Sequence, residues 1–90
     1  MNKKSEMTRV LLVEDSQGVA RALHRALGLH QTSDFHVETC ETGEDALERL
    51  YETSFNLLIS DFRLPGINGL ELLRRANQLR PTLRSILITA

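Results

Sequence analysis

Three carboxylates stand where they could do chemistry together. Glu14-Asp15 follow directly on the apolar run Val10-Leu11-Leu12-Val13, and Asp61 follows Leu57-Leu58-Ile59-Ser60. If both runs are neighbouring strands of one sheet, the acids meet in one crevice. Carboxylates that close repel each other, which favours protonating one or binding a cation. Oxygen-only ligands suit a hard ion. Mg²⁺ prefers one or two carboxylates, retained waters and a phosphate oxygen. Each acid alone is usually a helix cap or a solvated loop residue; two strand ends coinciding beside the switch point make a site an equal reading on geometry alone. Thr89 by spacing alone is a β-branched strand-end residue. Cys40 and His30 read as core or boundary positions, and His24 and His36 as exposed. No second Cys or clustered His supports zinc.

Other chemistries lack their motifs. Neither G-x-G-x-x-G nor G-x-x-x-x-G-K-[ST] occurs, so no nucleotide-phosphate cradle is indicated. No Ser sits in G-x-S-x-G. With 90 residues there is room for one domain with a marginal core. Hydrophobic residues make up 41% and charged residues 26%, ordinary for a soluble globular domain. A formal charge of −1 gives no overall bias towards nucleic acid. One cysteine allows no internal disulfide and fits a reducing compartment. No apolar run reaches the roughly 18 residues of a membrane span. The expectation is a soluble, cytoplasmic protein.

The elements that must position the acids follow from periodicity. Residues 1–8 read as a polar lead and 9–90 as the domain. Val10–Val13 is a continuous apolar run, as in a strand buried on both faces. Ser16 caps a first helix, with Val19, Leu23, Ala26, Leu27 and His30 inward and Arg21, His24 and Arg25 outward. Thr32–Asp34 is a loop. Phe35–Cys40 alternates, with Phe35, Val37 and Thr39 on one side, a half-buried edge strand. Thr42 and Asp45 form a variant capping box for a second helix with Ala46, Leu47 and Leu50 inward. Leu57–Ile59 is a third strand, and Leu64–Gly69 is a loop rich in turn residues. Leu70, Leu73, Ala76 and Leu79 form the apolar stripe of a third helix, stopped by Pro81. Arg84–Thr89 is a fourth strand. The order βαβαβαβ implies a parallel sheet with right-handed crossovers. Strand two lies beside strand one at an edge, and strand three on strand one's other side. That makes a switch point at the carboxyl ends of strands one and three, where ligands bind in such sheets.

Three motifs then resemble one known family. Val10-Leu11-Leu12-Val13-Glu14-Asp15, Asp61-Phe62-Arg63-Leu64-Pro65-Gly66-Ile67-Asn68-Gly69 and Ile86-Leu87-Ile88-Thr89-Ala90 look like the response-regulator receiver domains of bacterial two-component systems. The resemblance covers nearly the whole chain from Arg9. It implies a flavodoxin-like doubly wound α/β fold with strand order 2-1-3-4. It also implies that Asp61 accepts a phosphoryl group from a histidine kinase or phosphotransfer protein. Asp15, Asp61 and the backbone carbonyl of Arg63 would bind Mg²⁺, Glu14 would act through a metal-bound water, and Thr89 would contact the phosphoryl oxygen. Such a protein is a phosphorylation-controlled switch rather than a turnover enzyme, and its receiver touches neither nucleic acid nor membrane. The Arg63 side chain, two residues past the acceptor, is expected either to overhang the site or to be a solvated loop arginine.

The sequence also departs from that family. Receivers continue with a fourth helix, a fifth strand ending in a phosphoryl-contacting Lys, and a fifth helix, about thirty residues more. The resemblance therefore implies a receiver truncated at its C-terminus, and the role of that Lys passes to no residue here. Ile86-Leu87-Ile88 reads as a central strand set at an edge, which invites pairing or self-association. Two other functions stay open at this point: a non-phosphorylated interaction module, and a phosphatase of the D-x-D type, for which Arg63 stands where the second acid is needed.

Overall fold

The computed structural model describes residues 7–15, 18, 21, 25 and 35–89. Four strands form one parallel sheet: β1 (Thr8–Val13), β2 (Phe35–Cys40), β3 (Leu57–Asp61) and β4 (Arg84–Ile88), in the order β2-β1-β3-β4. Two helices are described, α1 (Gly43–Glu52) between β2 and β3, and α2 (Gly69–Leu79) between β3 and β4. The first helix expected from the sequence lies outside the described residues, apart from Gly18, Arg21 and Arg25, which are helical and exposed. The loop expected at Thr32–Asp34 also lies outside them.

β1 is the organising strand. It pairs with β2 on one side and β3 on the other, and Val10, Leu11, Leu12 and Val13 are all buried. Successive strand residues face opposite ways. Leu11 and Val13 therefore join Leu58, Ala46, Leu50, Phe55, Leu72, Ala76 and Leu83 in the core beneath the two helices. Val10 and Leu12 point to the other face, where they are buried too. Each fully buried leucine contributes on the order of 1.5–3 kcal/mol. β1 begins at Thr8, two residues before the apolar run, because Thr8 and Arg9 already pair with Phe35 and His36.

The helix starts follow local chemistry. The Thr42 hydroxyl accepts the Asp45 N–H at 3.1 Å, and the Asn68 side chain accepts the Glu71 N–H at 2.9 Å. Both satisfy donors that a helix start leaves free. At the other end Arg80 ties the helices together. Its Nε donates to the Leu50 carbonyl at 2.9 Å and its Nη2 to the Tyr51 carbonyl at 3.2 Å. Among the described residues no helix is long and apolar enough to cross a membrane.

Two expected faces are corrected. The stripe of α2 is Gly69, Leu72 and Ala76, with Leu73 half-buried; Leu70 is 58% exposed and Leu79 is exposed as well. A strict spacing of three cannot stay on one face: Leu70 and Leu79 are two and a half turns apart at 3.6 residues per turn, and so lie on opposite sides. On β2, Phe35 and Thr39 are exposed, while Cys40 from the other face packs against the core. The alternation was real, but α1 covers the opposite set of side chains.

Candidate functional site

The register of β1 and β3 brings the acids together. Val13 lies opposite Ser60, so the residues following them, Glu14-Asp15 and Asp61, leave the sheet at the same level. Neighbouring strands run about 4.8 Å apart. One carboxylate oxygen from each of Glu14, Asp15 and Asp61 lies within 4.8 Å of the other two. Glu14 is buried, Asp61 half-buried and Asp15 exposed, so the cluster opens to solvent on one side.

The backbone holds two of the acids. The Glu14 N–H donates to the Cys40 carbonyl at 3.0 Å, extending the β1–β2 ladder past Val13. Asp61 is the last residue of β3, and the next N–H, that of Phe62, donates to the Ile88 carbonyl at 2.9 Å. The Asp61 carbonyl accepts the Ser60 hydroxyl at 2.9 Å. Cys40 is a packing residue: burial, then the nearby Asp45 charge, pushes its thiol up to about 11. A thiol held protonated at neutral pH is a poor nucleophile.

Thr89 follows Ile88, the register partner of Asp61, so it stands at the carboxyl end of the strand next to that of Asp61, and it is exposed. Arg63 is exposed in the loop two residues after Asp61. The expected site residues therefore gather at the carboxyl ends of β1, β3 and β4. His36 is exposed and bonds Glu38, away from the acids, while His24 and His30 lie outside the described residues.

The loop between β3 and α2 returns to its starting point. The Gly69 N–H donates to the Phe62 carbonyl at 2.8 Å, and a Cβ on Gly69 would overlap the Asp61 carbonyl oxygen. Glu44, from the first turn of α1, accepts the Ile67 N–H at 3.1 Å. Sequence reading passes over Gly69 and Glu44. Gly69 carried a turn signal, but Glu44 looks like any acid in a first helical turn.

Three oxygen donors from adjacent strands, one of them buried, form a set suited to a hard divalent cation and unsuited to a soft metal. The residues present thus fit Mg²⁺, and a phosphate oxygen would complete its preferred shell.

Comparison with known proteins agrees with this geometry. The response regulator receiver domain family model matches residues 10–90. The chain is 40% identical over 83 residues to the response regulator receiver protein CpdR of Brucella abortus (strain 2308), covering 92% of this chain and 67% of that protein. It is 40% identical over 84 residues to the response regulator ArlR of Staphylococcus aureus (strain Mu50), covering 93% of this chain and 36% of ArlR. Among solved structures, the response regulator TrrA of Thermotoga maritima in complex with Mg(2+)-BeF superposes with a TM-score of 0.86 at 31% identity, covering 93% of this chain and 70% of that one. A CheY-like receiver domain protein from Methanospirillum hungatei gives 0.85 at 30% identity, covering 92% and 64%. The chain belongs to the response regulator receiver domain family. It spans about two thirds of CpdR and about a third of ArlR.

Proposed function

We propose that this chain is a phospho-accepting receiver, in which Asp61 takes a phosphoryl group from the phosphohistidine of a histidine kinase or phosphotransfer protein in the cytoplasm. The observation that carries this reading is the meeting of the Glu14, Asp15 and Asp61 carboxylates at the carboxyl ends of β1 and β3. The family membership and the TrrA structure support it. A carboxylate oxygen of Asp61 attacks phosphorus in line with the P–N bond. The new O–P bond forms as the P–N bond breaks, and its electron pair stays on the imidazole. Phosphoryl transfer of this kind needs positioning and charge neutralisation more than covalent chemistry.

Asp15, Asp61 and the Arg63 carbonyl would hold Mg²⁺, with Glu14 acting through a water. The bound ion supplies positive charge that offsets the carboxylates and the phosphoryl oxygens. The Thr89 hydroxyl donates to a phosphoryl oxygen. The protein is a switch that catalyses only its own phosphorylation and dephosphorylation. Intact-mass analysis after incubation with a small acyl phosphate tests this. One phosphate adduct that requires Mg²⁺ supports the reading, and no adduct on folded protein counts against it.

A second reading, an interaction module that takes no phosphate, draws on the outer position of β4 among the described strands, where Ile86 is 49% exposed. It predicts self-association through β4 that Ile86→Lys abolishes, measured by sedimentation equilibrium. A wild-type chain that stays monomeric removes it.

A further inference from the structure

The loop that carries Arg63 is fastened at two places, and the second is unexpected. One end closes on itself and on β4, through the Gly69 N–H to the Phe62 carbonyl and the Phe62 N–H to the Ile88 carbonyl. The other fastening reaches 23 positions back in the chain, where Glu44 Oε2 accepts the Ile67 N–H at 3.1 Å.

The surrounding backbone is shaped around that contact. Gly66 has a φ of 78°, a left-handed conformation that side chains resist. A Cβ there would lie 2.6 Å from Glu44 Oε2 and 2.8 Å from Oε1. On the helix side a Cβ at Gly43 would lie 2.6 Å from Ile67 Cγ1. Two glycines thus let Gly43-Glu44 and Gly66-Ile67 lie against each other. Ile67 in turn packs on the core. Arg63, Leu64 and Pro65 lie between the two fastenings, with Arg63 and Pro65 exposed and Leu64 packed on the core.

We propose that Glu44 is a positioning residue for the acidic site: its hydrogen bond to Ile67 fixes the 62–68 loop and so sets where the Arg63 carbonyl stands relative to Asp61. This rests on the functional reading above and extends it to a residue outside the acid cluster. The ordinary role of an acid in a first helical turn is to complement the helix dipole. That role needs charge. The proposed role needs an acceptor oxygen, which glutamine also supplies.

Three proteins separate the two: wild type, Glu44→Ala and Glu44→Gln. The first readout is amide hydrogen exchange of residues 62–68 in metal-free protein, followed by NMR. The second is the Mg²⁺ dissociation constant from titration. In Glu44→Ala the Ile67 amide should exchange about tenfold faster, an opening made easier by about 1.4 kcal/mol, and Mg²⁺ should bind several-fold more weakly. Glu44→Gln should stay within about twofold of wild type in both, because the acceptor is retained. Wild-type exchange at Ile67 in Glu44→Ala, unchanged Mg²⁺ affinity with a loosened loop, or equal damage in Glu44→Gln each overturns the proposal. If wild type binds no Mg²⁺, the functional reading fails, and the exchange readout alone then decides whether Glu44 fixes the loop.

Discussion

Gly69 sits directly against the carbonyl oxygen of Asp61, leaving no room for a side chain at the first position of α2. The obstacles are backbone at Asp61 and Phe62, which cannot swing aside, and the Leu87 side chain at 2.8 Å. This contact joins the start of α2 to the end of the strand that carries Asp61.

Gly69→Ala is therefore expected to destabilise the fold, although alanine is the better helix former. Overpacking of this kind costs about 1–3 kcal/mol. Urea unfolding followed by circular dichroism checks it, and a midpoint equal to wild type would show that α2 can shift away from Asp61 without loss.

Arg63 is exposed two residues beyond Asp61. A guanidinium overhanging the phosphoryl group would shield it from water. Arg63→Ala should then shorten the acyl phosphate lifetime about two- to fivefold, the scale of an exposed ion pair. Decay of the phosphorylated mass species measures this. An unchanged decay rate would mean that the side chain is simply solvated.

Glu71 provides a pH test away from the site. Arg74, through Nε at 3.1 Å and Nη2, and then Arg75, through Nε at 2.7 Å, hold its carboxyl down to about 2 from the ordinary 4.5. A depressed carboxylate stabilises the folded state fully above its unfolded value and stops doing so as the pH falls through its folded value. Wild type should thus lose this contribution between pH 4.5 and about 2. Glu71→Gln should have a lower urea midpoint than wild type at neutral pH, and the gap should close across that window. Salt should narrow the gap at neutral pH, since the groups are exposed. Parallel pH profiles for the two proteins would exclude the effect.

The sequence and the structure agree where one residue pattern has one physical cause. Val10–Val13 reads as a buried strand because both faces of β1 are covered, and such a strand has no polar side to show. The acid cluster was legible because Glu14-Asp15 and Asp61 each end an apolar run, and parallel pairing of those runs puts their ends level. Faces were harder. The alternation in Phe35–Cys40 marks a strand, but not which side α1 will cover, and α1 covers the side of Cys40. In α2 the leucines at 70, 72, 73 and 79 allow more than one stripe, and only packing against α1 and the sheet selects Leu72 and Ala76. The bond from Glu44 to Ile67 could not be read at all, since it depends on a helix start meeting a distant loop and on backbone room left by two glycines.

Locating the phosphate would test the acceptor role of Asp61 without an intermediary. The chain would be incubated with Mg²⁺ and a small acyl phosphate, reduced with borohydride, which converts an aspartyl phosphate to homoserine, and mapped by peptide mass analysis. Conversion at Asp61 that is absent without Mg²⁺, with Asp61→Asn giving none, is the predicted result. Homoserine at another acid, or none at Asp61 in folded protein, would contradict the account.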